Sequence, residues 1–141
     1  MTNTDFMTAK IGSQLRTVKI TNIEKETVNA NGRDSEKIVF TVWDDIVKRE
    51  FKISDCWIKA NDDIKIVGLW YLASDGNVIA PNSALAKLLH ALKCDALIKL
   101  MNRDINVYPD PKDYLVIIVG DITENELANK LKSMKASRNL K

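Results

Sequence analysis

Apolar and polar positions alternate along several stretches of the chain and then switch to a helical period. Residues 13–23 (SQLRTVKITNI) put Val18 and Ile20 on one face and Thr17, Lys19 and Thr21 on the other. That alternation predicts a half-buried strand. Ile23 is out of phase with Ile20, and a bulge near Thr21–Asn22 would return it to the core. Residues 29–35 (NANGRDS) mark a turn. Residues 36–43 (EKIVFTVW) predict the clearest strand, with Ile38, Phe40 and Val42 on one face and Val39, Thr41 and Trp43 on the other. Asp44-Asp45 end it. Residues 48–53 (KREFKI) alternate again and should return as a hairpin, with Phe51 and Ile53 inward and Glu50 and Lys52 outward. Residues 64–72 predict a further strand, and Ser74-Asp75-Gly76-Asn77 turns it into Val78-Ile79.

The period then changes. Asn82 or Ser83, after Pro81, suits a helix N-cap. Leu85, Leu88, Leu89 and Leu92 follow at helical spacing and form one stripe. A second short helix is expected over 95–101. Residues 104–108 predict a strand, and Pro109 to Asp113 a turn, since proline withholds a backbone donor. The apolar run 114–119 (YLVIIV) suits a strand buried on both faces. Thr123-x-x-Glu126 forms a capping box and opens a last helix to about Ser137, with Leu127, Leu131 and Met134 on one side. No internal repeat is visible.

Runs of strands with one helical insertion argue against a parallel βαβ sheet. The expected fold class is mainly β (α+β), as a small, mainly antiparallel barrel or a strongly curved sheet. The 141 residues suit one domain. Residues 1–12 read as a flexible lead-in, 13–121 as the domain, and 122–141 as a C-terminal helix with a basic tail. Apolar residues at 45% and charged residues at 28% are ordinary for a globular chain and exclude a disordered or collagenous one.

Net charge is only +2, so bulk electrostatics favours no partner. Distribution says more. Lys130, Lys132, Lys135, Arg138 and Lys141 follow one another from residue 128 onward without an acid. Such a stretch can collect phosphates, or simply be a solvated terminus. Cys56 and Cys94 lie far apart outside any CxxC, and one His completes no usual zinc set. Two reduced thiols in a reducing compartment are expected, with a disulfide as the lesser alternative. No apolar segment resembles a secretory signal or a membrane span, so the reading is intracellular and cytoplasmic.

The order of elements resembles the OB-fold, a five-stranded Greek-key barrel with a helix between strands three and four. A bent first strand (13–23), a hairpin (36–53), a helical stretch (83–101) and a final hairpin (104–119) carry the resemblance. The closing segment LIKLMNRDINVYPDPKDYLVIIV is similar to the last hairpin of single-stranded DNA-binding proteins of this class. The stretch 57–80 departs from the pattern as an inserted hairpin. The resemblance implies binding of single-stranded nucleic acid without sequence preference.

The residues support the same chemistry. Single-strand binders combine aromatic faces for stacking with cations for phosphates. If Phe40 faces the core, Trp43 faces outward, with Lys19 and Lys52 on neighbouring strands. The alternative buries Trp43 under a helix. Arg16, Lys48, Arg49, Trp70, Tyr71 and Tyr108 complete the candidate set, the aromatic ones serving as readily in core or rim. Trp70 and Tyr71 are adjacent and should point to opposite faces. Trp57, after a turn-like Ser54-Asp55-Cys56, would cap a barrel end. Arg33, Lys37 and Arg103 are scattered cations. His90, offset from the leucine stripe, reads as a surface residue.

No hydrolase, P-loop or dinucleotide motif is present. Asp44 or Asp45 with Glu50-x-Lys52 has the residue types of a Mg²⁺-dependent nuclease. Similar triplets at Asp63-x-Lys65 and Asp110-x-Lys112 show how easily the pattern arises by chance. The expectation is therefore a non-enzymatic binder without metal or cofactor. A homodimer through the last helix is the alternative interaction reading.

Overall fold

The structure is a computed structural model that describes residues 14–74 and 78–139. Strands β1 (Arg16–Ala30) and β2 (Arg33–Asp44) form a long hairpin. Asn31 (φ 56°) and Gly32 (φ 75°) both lie in the left-handed region, the two-residue turn these residue types favour. The register shifts between Ile20 and Asn22, which bulges Thr21 and sets Ile23 opposite Phe40 on the core side. Strand β3 (Arg49–Ile53) folds back on β2, with Thr41 opposite Lys52 and Trp43 opposite Glu50.

After Ser54 the chain runs straight on as β4 (Asp55–Ala60), a strand the sequence pattern did not predict. Cys56, Trp57 and Ile58 are all buried, so no alternation marks it. The turn-like reading of Ser54-Asp55-Cys56 is therefore corrected: the polar pair marks the point where the strand changes neighbours. Strand β5 (Asp63–Gly68) pairs back on β4. Beyond Gly68 the chain crosses to β2. The Ile38 amide donates to the Leu69 carbonyl at 2.8 Å, and the Tyr71 amide to the Glu36 carbonyl at 2.8 Å. The predicted strand 64–72 is thus two segments with different partners. Strands β6 (Ala73–Ser74) and β7 (Val78–Ile79) make a small separate ladder.

Helix α1 (Ala84–Ala91) is capped by Ser83, whose Oγ accepts from the Ala86 amide at 3.2 Å. The second expected helix is a single 3-10 turn, Leu97–Leu100. Strands β8 (Asp104–Pro109) and β9 (Leu115–Ile118) form the last hairpin. Helix α2 (Glu124–Asn139) opens on the capping box: the Glu126 amide donates to Thr123 Oγ1 at 3.2 Å, and the Thr123 amide donates to Glu126 Oε1 at 3.2 Å.

The fold is mainly β. Seven strands follow the order β3-β2-β1-β8-β9-β4-β5, antiparallel except for β4 beside β9. Both faces of this sheet are used. Ile20, Phe40, Val42, Cys56, Val107 and Ile117 face the main core, closed by Leu85, Leu88 and Leu89 of α1. Trp57, Tyr108 and Val116 face the other way and are covered by Leu127 and Leu131 of α2. The continuous apolar run at 114–119 reflects this double burial.

Three expectations change. The sheet has seven strands rather than five, it includes one parallel pairing, β4 with β9, and its end strands β3 and β5 are not paired with each other among the described residues. The extra strands come from the unforeseen β4–β5 hairpin. The lead-in 1–12, the turn residues 75–77 and Lys141 lie outside the described residues. Among the described residues no helix is long and apolar enough to cross a membrane.

Candidate nucleic-acid interface

Alternation along β2 decides which side chains reach the outer surface. Phe40, Val42 and Asp44 point inward, and Lys37, Val39, Thr41 and Trp43 point outward. Helix α2 covers the outer face over β4, β5, β8 and β9. Among the described residues, the hydrophobic cluster that α2 closes contains no residue of β1, β2 or β3. There the Trp43 indole lies half-buried, directly opposite Lys19 on β1 and Glu50 on β3. Lys52 stands opposite Thr41, one row along. Neither Lys19 nor Lys52 takes part in an ion pair among the described residues. The rows also carry acids, with Asp104 opposite Lys19 and Glu50 opposite Trp43, so the strip mixes both signs.

Trp70 joins this strip at its far end. It faces Lys37 across an isolated bridge, so both stand on the outer side, while Leu69 is in the core and Tyr71 packs against it. Lys37 Nζ is 5.1 Å from the Trp70 ring centroid and donates to Asp55 Oδ1 at 2.8 Å. Gly68 makes room for the indole: a Cβ there would meet Trp70 Nε1 at 2.7 Å.

The other candidates go elsewhere. Arg16 Nη1 donates to Asp44 Oδ2 at 2.8 Å, and the Asp44 side chain is 0% exposed. Asp44 Oδ1 accepts from the Ile46 amide at 2.9 Å, which holds the β2–β3 turn. Lys48, in that turn, pairs with Asp45 at 2.7 Å. The Lys48 ammonium, and after it the Trp43 indole N–H, hold the Asp45 carboxyl below its ordinary value. Arg49 lies over the Phe51 ring at 5.2 Å, on the face opposite Lys52. Tyr71 faces a groove of about 1290 Å³ between the β1–β2 hairpin and α1, with Lys25 Nζ 5.2 Å from its ring. Tyr108 is 3% exposed and meets Trp57 edge-on with centroids 6.4 Å apart, so it offers no stacking face. Trp57 is core rather than a barrel cap, and its Nε1 donates to the Tyr108 carbonyl at 3.1 Å.

Of the acidic pattern, Asp44 points into the core and Glu50 outward, so these two do not share a face, while Asp45 is exposed and paired with Lys48. Both cysteines are free, with Cys56 buried. Burial pushes its thiol up to about 12. His90 is exposed.

Sequence reasoning leaves Lys37 among the scattered cations. The signal was available, because Lys37 has the same strand parity as Trp43. The position of Trp70 beside Lys37 had no local signal, since it depends on the crossing after Gly68. Compared with models of protein families, with curated proteins and with solved structures, the chain matches none.

Proposed function

We propose that this protein is a non-enzymatic binder of single-stranded nucleic acid, DNA in the first instance, acting without sequence preference through the outer strip around Trp43. The carrying observation is the half-buried Trp43 indole on the part of the sheet outside the cluster that α2 closes, between strands bearing Lys19 and Lys52. A base stacked on such a ring contributes about 1–3 kcal/mol, whatever the base.

β3 and β4 are one run broken at Ser54, which touches β2 at one end and β9 at the other. Taken as a single strand, that run makes the pairing cyclic: β1, β2, β3–β4, β9, β8 and back to β1. With α1 between the third and fourth members, this is the order of an OB-like barrel, and β5 is an addition to it. The homodimer alternative loses support, because Leu127 and Leu131 are buried against the protein's own sheet.

A fluorescence titration with single-stranded oligonucleotide and its duplex at two salt concentrations tests the reading. Single strand should quench tryptophan emission and duplex should not. With Lys19 and Lys52 outside the ion pairs of the described residues, two phosphate contacts should give a shallow slope of log affinity against log salt, about −1.4. Trp43→Ala should weaken binding about five-fold or more while the protein stays folded. Wild-type affinity in that variant would remove Trp43 from the site.

A further inference from the structure

We propose that Glu50 makes the Trp43 site selective among bases: its carboxylate reads the Watson–Crick edge of the base seated on the indole and favours guanine, whose N1–H and 2-amino group are adjacent donors. This rests on the single-strand reading of the same surface and refines one part of it. Indifference holds along the rest of the bound strand, and a preference arises only for the base over Trp43.

Register sets four side chains in one row across the outer face. Glu50 on β3 is opposite Trp43, Trp43 is opposite Lys19 on β1, and Lys19 is opposite Asp104 on β8. Phe51 and Ile53 turn toward the main core, so Glu50 turns outward, and it is exposed. It takes part in no ion pair among the described residues. Neighbouring strands lie ~4.8 Å apart, so Glu50 and Lys19 flank the indole at one spacing each, and Asp104 stands two spacings away beyond Lys19. Lys52 is on the same strand as Glu50 but two residues along, off the row. Among the described residues no cation and no second ring lies over Trp43. Its N–H faces Asp45 Oδ1 at 3.4 Å, and Lys48 holds that carboxylate at 2.7 Å.

The row carboxylate, indole, ammonium is polar across its width, and so is a stacked nucleotide. Phosphates lie on the sugar side of the base, and the Watson–Crick edge lies on the other. Turned one way, phosphate meets Lys19 and the base edge meets Glu50. Turned the other way, phosphate meets Glu50 and like charges repel. An ionised carboxylate only accepts hydrogen bonds. Guanine offers two donors side by side, which match its two oxygens. Thymine offers a single N3–H between two carbonyls, which turn partial negative charge toward Glu50. Cytosine and adenine, with one amino group each, fall between. Water competes at an exposed carboxylate, so the discrimination belongs at the low end for bidentate base contacts, about five-fold.

The test uses dT8 with its fourth base replaced by guanine or by hypoxanthine, which keeps the purine ring and N1–H but lacks the 2-amino group. Kd is read from tryptophan quenching. The guanine form should bind about five-fold tighter than the hypoxanthine form. In Glu50→Gln the two should agree within about two-fold, because an amide has one acceptor oxygen and turns a donor to the base. Asp104→Asn removes the same charge two spacings away and should keep the five-fold gap. Equal binding of the two forms by the wild type overturns the role of Glu50 while leaving Trp43 binding intact. So does a gap that survives Glu50→Gln or vanishes in Asp104→Asn. Absence of binding to dT8 and to both substituted forms overturns the single-strand reading itself, and the base preference with it.

Discussion

Replacing Asp44 with Asn tests how the interface is held in place. Asp44 ends β2 one residue after Trp43, and its side chain is 0% exposed. One oxygen accepts from Arg16 at 2.8 Å, the other from the Ile46 amide at 2.9 Å and the Val47 amide at 3.5 Å. Asparagine keeps one acceptor, so it can serve the turn or the guanidinium but not both, and it presents a donor to the other. The loss is one charge-assisted hydrogen bond, about 1.5–3 kcal/mol. Breaking a fully buried ion pair would cost about 3–5 kcal/mol. Arg16 remains 34% exposed and can re-solvate, so the lower range applies. We expect about 2–3 kcal/mol for Asp44→Asn, and about 1 kcal/mol more for Asp44→Ala, which also removes the acceptor for the turn amides. For a chain of this size that is a fall of about 6–12 °C in Tm, measurable by circular dichroism. Arg16→Leu should cost a similar amount, because it leaves the carboxylate buried and unpaired. The double variant should be better than the sum of the two. A change in Tm under about 2 °C for Asp44→Asn would refute the buried pair.

Three further outcomes follow from the described geometry. A colorimetric thiol reagent at pH 8 should titrate only Cys94 in the native protein and both cysteines in denaturant, because Cys56 is buried with its thiol pushed up to about 12; rapid native labelling of Cys56 would contradict its placement. Glu126 is held below its ordinary 4.5 by the Lys59 ammonium first and then by Thr123. A lowered carboxyl stabilises the fold above its unfolded value, and that stabilisation is lost as pH falls through the folded value. Acidification through the lowered value of Glu126 should therefore weaken the Lys59–Glu126 tie between β4 and α2, and Glu126→Gln should remove this step. An unchanged acid transition in Glu126→Gln would show that the pair does not contribute. Ser83→Ala should lower stability by about 1 kcal/mol in urea denaturation, as expected for loss of an N-cap acceptor, and no change would mean that the cap bond does not hold α1.

The elements legible in the sequence are those whose environment is one-sided or whose ends carry their own chemistry. β2 sends Ile38, Phe40 and Val42 to the main core in strict alternation, so Trp43 is marked as pointing to the other face. The Thr123 box and the Ser83 cap satisfy helix-end amides with residues a few positions away, so they too can be read locally. β4 could not be read in this way. Its Cys56 and Ile58 face one core and its Trp57 the other, which erases alternation, and Ser54-Asp55 imitates a turn. The fate of Tyr108 was hidden for a similar reason, because α2 buries it from the far end of the sequence. Arg16 reads as a free cation until the fold brings it to Asp44, 28 positions away. Trp70 reaches the outer strip only because the chain leaves β4 at Gly68 and crosses to β2, a choice of neighbour that is tertiary in origin.

The three indole N–H resonances offer the most direct observation of whether Trp43 meets a ligand. Titrating dT8 into the protein should shift the Trp43 signal, assigned by its loss in Trp43→Phe. The Trp57 signal, from an N–H bonded to the Tyr108 carbonyl inside the second core, should stay still. A stationary Trp43 signal at saturating oligonucleotide would contradict the proposed interface.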